Sequence, residues 1–131
     1  MATFSGDIRR WNIKSMDTID KIRRASILEM FQLIIYSTPV ESGRLRGNWQ
    51  TNVNSSKTGE LDRLDTSGSM ALAEVMANMG GLMDTVYFTN NLPYAERIEY
   101  DGWSYKERAG MVRKHLVQWQ RIVENKAREF A

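Results

Sequence analysis

A chain of 131 residues with 42% hydrophobic and 26% charged side chains lies in the globular range and is long enough for one domain that buries roughly two-thirds of its unfolded surface. Having no cysteine and one histidine, it is excluded from disulfide scaffolds, thiol catalysis and structural zinc sites. A formal net charge of +2 does not by itself mark a nucleic-acid binder, although twelve arginines against six lysines favour forked contacts with carboxylates or phosphates.

In chain order, residues 1–10 lack the apolar core of a signal peptide, so nothing points to secretion. After a polar arm containing Trp11, Asp17 is placed to cap a helix running to about Tyr36. Ile19 and Ile22 mark one stripe; further on, Ile27, Leu28, Met30, Phe31, Leu33, Ile34 and Ile35 cover most of the circumference and call for a second helix or a neighbouring subunit. Glu29 and Gln32 interrupt this run, which falls short of the roughly 20 residues that span a bilayer, so no membrane contact is expected. Pro39 disfavours helical geometry at Thr38, and Gly43 and Gly47 bracket a turn that carries Arg44 and Arg46 into solvent. From Asn48 the period becomes two, with Trp49, Thr51 and Val53 on one face and Asn48, Gln50, Asn52 and Asn54 on the other, which predicts a half-buried strand.

Residues 54–65 are polar, without period, and predict a long mobile loop. Asp65 or Thr66 caps a helix from Ser67 to about Met79 that Gly80 and Gly81 end. Asp84 to Asn90 alternates again as a second strand, Val86 and Phe88 opposing Thr85, Tyr87 and Thr89. Pro93 opens a brief helix with Tyr94 and Ile98 on one side, closed by Asp101-Gly102. Finally Val112, Leu116, Trp119, Val123, Ala127 and Phe130 recur at three and four on an amphipathic helix whose other side is charged. The expectation is one α+β domain over residues 1–131, a small mainly antiparallel sheet covered by a long N-terminal helix and an amphipathic C-terminal helix.

No catalytic, cofactor-binding or metal-binding residues emerge, and no enzyme is expected. Gly68-Ser69 sits in a helix start and not in a nucleophile turn. His115 reads as a partly exposed structural histidine, and Glu124-Asn125-Lys126 as part of a solvated helix face. Neither calcium-loop spacing nor a phosphate-binding glycine loop is present. One alternative is a small nucleic-acid-binding module, since Arg9, Arg10 and Trp11, and then Arg44, Arg46 and Trp49, set cations beside aromatics.

Two segments carry a resemblance: Thr38-Pro39-Val40-Glu41-Ser42-Gly43-Arg44-Leu45-Arg46-Gly47-Asn48-Trp49, and Asn90 to Gly102 with Leu92, Pro93, Tyr94, Ala95 and Tyr100. Together they resemble the tail-completion (neck, head-tail joining) proteins of long-tailed bacteriophages. Ser42 and Glu41 depart mildly from the threonine and aspartate expected there, keeping the turn chemistry. The resemblance implies a structural virion protein, assembled in the host cytoplasm, that forms a ring of about six copies at the head-proximal end of the tail. Its implied partners are itself, a tail terminator and the head connector, with DNA passing through the ring. Arg44, Leu45, Arg46, Tyr94 and Tyr100 are the implied contact residues, and Pro39, Gly43, Trp49 and Pro93 shape the motif.

Overall fold

The computed structural model describes residues 3–100 and 110–130. Helix α1 (Phe4–Ser37) is followed by a single turn α2 (Arg44–Gly47), strand β1 (Trp49–Val53), α3 (Ser69–Ala77), strand β2 (Val86–Asn90), α4 (Ala95–Tyr100), α5 (Arg113–Leu116) and α6 (Trp119–Phe130). The strands form a two-stranded antiparallel sheet with Trp49 opposite Asn90, Thr51 opposite Phe88 and Val53 opposite Val86. The architecture is therefore α+β, with the long first helix and a C-terminal helix as expected. An isolated two-stranded ribbon is marginal in water, so the helices and the loop before α3 must supply its cover.

They do so through one core. Met30, Ile34 and Ile35 of α1 pack with Leu45, Trp49, Ala71, Val75, Leu92, Ile98, Met111 and Ile122. At its centre Phe31 stacks on Phe88 with ring centroids 4.1 Å apart, and Phe88 stacks on Trp49 at 4.6 Å, so three parallel rings tie helix to sheet. The broad apolar surface of Ile27 to Ile35 is thus covered largely within the chain, by the sheet, α3 and α6.

Three sequence expectations are corrected. Helix α1 begins at Thr3, whose hydroxyl accepts from Gly6 N, so the polar arm is helical and Asp17 lies inside the helix. The final helix is broken: α5 and α6 meet at Val117-Gln118, where Gln118 N donates to His115 O. Strand β1 is not one-sided, because Gln50 is buried as well as Trp49 and Thr51. The cause is the 54–65 segment, whose far half is laced to the sheet and its flanking turn. Gln50 Nε2 donates to Gly59 O, Asn48 exchanges two bonds with the Leu61 backbone, and Asn91 donates to the carbonyls of Lys57 and Gly59. A segment whose apolar residues are only Leu61 and Leu64 is held mainly by amide side chains.

Helix α3 starts at Ser69 rather than Ser67, with Gly68 at its N-cap position, and Asp65, one of the two residues expected to cap it, accepts from Gly68 N at 3.1 Å and Ala71 N at 2.9 Å. Beyond α3, Gly80 takes φ +59°, where its carbonyl receives Arg23 and Arg24 from α1. The closing Asp101-Gly102 expected for α4 lies outside the described residues.

Candidate assembly interface

The 38–49 segment is a hub in which Thr38, Arg46 and Asn48 turn polar atoms inward. Thr38 caps α1 by donating to Ile34 O at 2.8 Å, and its hydroxyl accepts from Trp49 Nε1 at 2.7 Å. Arg46 reaches three carbonyls: Nη1 to Thr66 O at 2.7 Å, and Nη2 to Tyr36 O at 3.1 Å and Thr38 O at 3.0 Å. Tyr36 O and Thr38 O belong to the C-terminal end of α1, where a cation is favoured by both hydrogen bonding and the macrodipole. Burial lowers the Arg46 pKa from its ordinary value, with Asp65 nearby opposing that effect.

Two glycines make the hub possible. Gly43 has φ +87°, and a Cβ there would sit 2.7 Å from Thr66 N. At Gly47 a Cβ would overlap the Arg63 carbonyl oxygen. The chain of residues 63–66 therefore runs against bare backbone, and Asp65 N donates to Gly43 O at 3.0 Å.

Arg63 is the residue that sequence reasoning missed. Its guanidinium donates to Gly47 O at 2.6 Å and Trp49 O at 2.9 Å and pairs with Glu74 Oε2 at 2.9 Å, while Glu74 Oε1 accepts Thr51 N at 2.7 Å. Together Arg63 and Glu74 satisfy part of the open edge of β1, where unpaired backbone groups invite another strand. An arginine within a polar loop carries no local signal of such a role.

The implied contact residues part company in the fold. Leu45 is a core residue at 5% exposure, so it is not a surface contact; its carbonyl accepts Asn90 Nδ2 at 2.9 Å. Arg46 is engaged internally and does not project into solvent as the turn suggests. Arg44 remains accessible, 42% exposed and paired with Glu60 Oε2 at 2.9 Å. Tyr94 packs against the core. Tyr100 is largely exposed, with the Arg113 guanidinium 4.9 Å from its ring centre. Trp49, sealed in the ring stack, has no face to offer a base.

A second cluster closes the far end. The Glu99 carboxylate accepts from the backbone N–H groups of Met111 at 2.5 Å, Val112 at 2.9 Å and Arg113 at 2.8 Å, and from Arg113 Nε at 3.2 Å. Burial pushes its pKa up, but the three backbone bonds and Arg113 outweigh this and hold it below the usual carboxylate value. Gly110, at φ +89°, lets the chain pass close to that carboxylate. His115 is buried rather than partly exposed, and its Nε2 lies 2.5 Å from Ser37 Oγ, which pins α5 to the end of α1.

Among the described residues no group of three or more His, Asp or Glu side chains is placed to hold a metal ion, and no helix is long and apolar enough to cross a membrane. A cleft of about 310 Å³ between α1 and the loop after α3, lined by Ile13, Met16, Asp17, Asp20 and Leu82, is wide open to solvent. Comparison of the chain with protein-family models, with curated proteins and with solved structures gives no match.

Proposed function

We propose that this chain is a structural assembly protein of the phage neck, forming a ring of about six copies at the head-proximal end of the tail and making the tail competent to join the head connector. What supports the reading is the convergence of the two segments that carry the resemblance. Separated by some forty residues, they meet at one end of the sheet: Trp49 lies opposite Asn90, Asn90 donates to Leu45 O, and Leu45 and Leu92 share the core. A unit built this way presents a rigid corner, with Arg44 at its surface. The nucleic-acid reading loses one of its two clusters to burial of Trp49 and internal bonding of Arg46.

Electron microscopy of assembled particles carrying a labelled copy of the chain tests the proposal. Label in a ring at the head-tail junction is the expected result, in roughly six copies. A chain that is strictly monomeric both at high concentration and within the particle, or one that is absent from the junction, overturns it.

A further inference from the structure

The contacts His115 to Ser37 and Lys126 to Glu29 show that α5 and α6 run antiparallel to α1, and α6 ends at Phe130, about level with residue 25 of α1. The first half of α1 therefore projects past α6 by about 32 Å. Along it Ile8, Trp11, Ser15, Ile19 and Ile22 recur at spacings of three and four, on the line that continues through Ser26 and Glu29 to the side where Lys126 of α6 docks. Ile8 is 50% exposed, Trp11 70% and Ile19 54%. The side on which α6 docks thus runs on toward the N-terminus, exposed at Ile19, Trp11 and Ile8, for about three more turns.

We infer that this overhang is a self-association surface, pairing antiparallel with the overhang of a second copy. The occupant follows from register. With Ile8 and Trp11 taken as seam positions of a heptad, Asp7, Lys14 and Lys21 flank the seam on one side. In an antiparallel pair centred near residue 13, Trp11 meets Ser15 of the other copy and Ile8 meets Thr18, large against small in these central layers. In the same register Asp7 faces Lys21 of the other copy, twice by symmetry, and only Lys14 meets its like, at the two-fold axis. A parallel pair would set Trp11 on Trp11 and Ser15 on Ser15, with no charge pairing across the seam. Each copy offers apolar surface on the order of 500 Å², the size at which patches become interaction sites; the aliphatic stems of the flanking lysines and arginines extend it toward the roughly 800 Å² per partner of a standard interface. The pairing does not rest on the neck reading, since a two-fold contact of overhangs leaves the 38–49 corner open.

The test is sedimentation of the full chain over a concentration series, with circular dichroism as the check on folding. The wild type forms dimers, and Trp11→Ala weakens them at least tenfold while the fold is retained, Trp11 having no core contact. Asp7→Lys and Lys21→Asp each weaken dimerisation, the double variant Asp7→Lys/Lys21→Asp restores it, and an equimolar mixture of the two single variants forms heterodimers in preference to either homodimer. Because the chain has no cysteine, Lys14→Cys crosslinks to itself on oxidation, whereas Ile8→Cys does not. A monomer at all concentrations, dimers indifferent to Trp11→Ala and the charge swaps, or crosslinking at residue 8 and not at 14 overturns the inference; the last result would mean parallel pairing.

Discussion

The two halves of α1 obey the same helical geometry and end in opposite situations. From Ser26 to Thr38 the helix is packed into the domain: Ser26, Ile35 and Thr38 are at most 1% exposed, and the end of the helix is closed by Thr38 and Arg46. From Ile8 to Ile19 it carries comparable apolar residues into solvent. Burial marks the first as scaffold, and exposure of Ile8, Trp11 and Ile19 is what the proposed pairing of overhangs rests on. The same distinction separates Arg46, with three internal carbonyls, from Arg44, with one exposed carboxylate.

Amide exchange draws the contrast most sharply. An unsupported helix of this length is marginal on its own, whereas the buried half opens only with the domain. In dilute solution the amides of residues 8–19 exchange at least ~1000-fold faster than those of 28–36, given a domain stability of about 5 kcal/mol or more. At high concentration the gap narrows if the overhang pairs. Equal protection along the whole helix in a dilute monomer would erase the distinction.

Within the scaffold half, Gly47→Ala is expected to cost about 3 kcal/mol or more, because the added methyl meets backbone and not a movable side chain. Thermal unfolding measures it. Arg46→Ala should cost about 2 kcal/mol through loss of charge-assisted bonds, and Arg46→Lys should not recover it, since one ammonium cannot span carbonyls on both sides of the turn. Recovery by lysine would show that charge alone matters there.

Glu99 gives the scaffold a pH signature. Its folded pKa is depressed below the ordinary 4.5, so its contribution is fully present above that value and is lost as pH falls through the folded pKa. Glu99→Gln therefore destabilises by about 2 kcal/mol near neutral pH, and the difference from wild type shrinks on acidification. A difference that stays constant from neutral to strongly acidic pH would mean that the amide and the carboxylate serve the 111–113 backbone equally.

Periodicity made the α+β class, both strands, α3 and its Asp65 cap legible, because each rests on local spacing. It failed wherever partners come from elsewhere. The Thr3 cap and helical arm were hidden because a partly polar, Gly6-containing stretch has weak propensity on its own. Gln50 looked solvent-facing because nothing local says that residues 57–61 return to cover it. Of the implied contact residues, Leu45 was misplaced because a leucine between two arginines in a single turn can point either way, and only the core decides. Arg63 and Glu74 lie eleven residues apart in different elements, so their joint hold on the β1 edge has no sequence period at all.

The smallest expected effect on stability is also the one that bears on function. Arg44 and Glu60 form an exposed pair, and such pairs contribute about 0–1 kcal/mol, so Arg44→Ala should leave the unfolding temperature nearly unchanged. Arg46→Ala, by contrast, weakens the fold, so substituting both arginines together would confuse a damaged hub with a lost contact. Arg44→Ala alone isolates the surface. If this corner meets an acidic neighbour in the particle, the variant lowers the yield of joined particles, with filled heads and completed tails accumulating apart. Arg44→Lys should restore part of the yield by keeping the charge without the fork. Normal joining by a stably folded Arg44→Ala chain would remove this corner from the head-tail contact and leave the uncovered half of α1 as the surface through which the chain meets its partners.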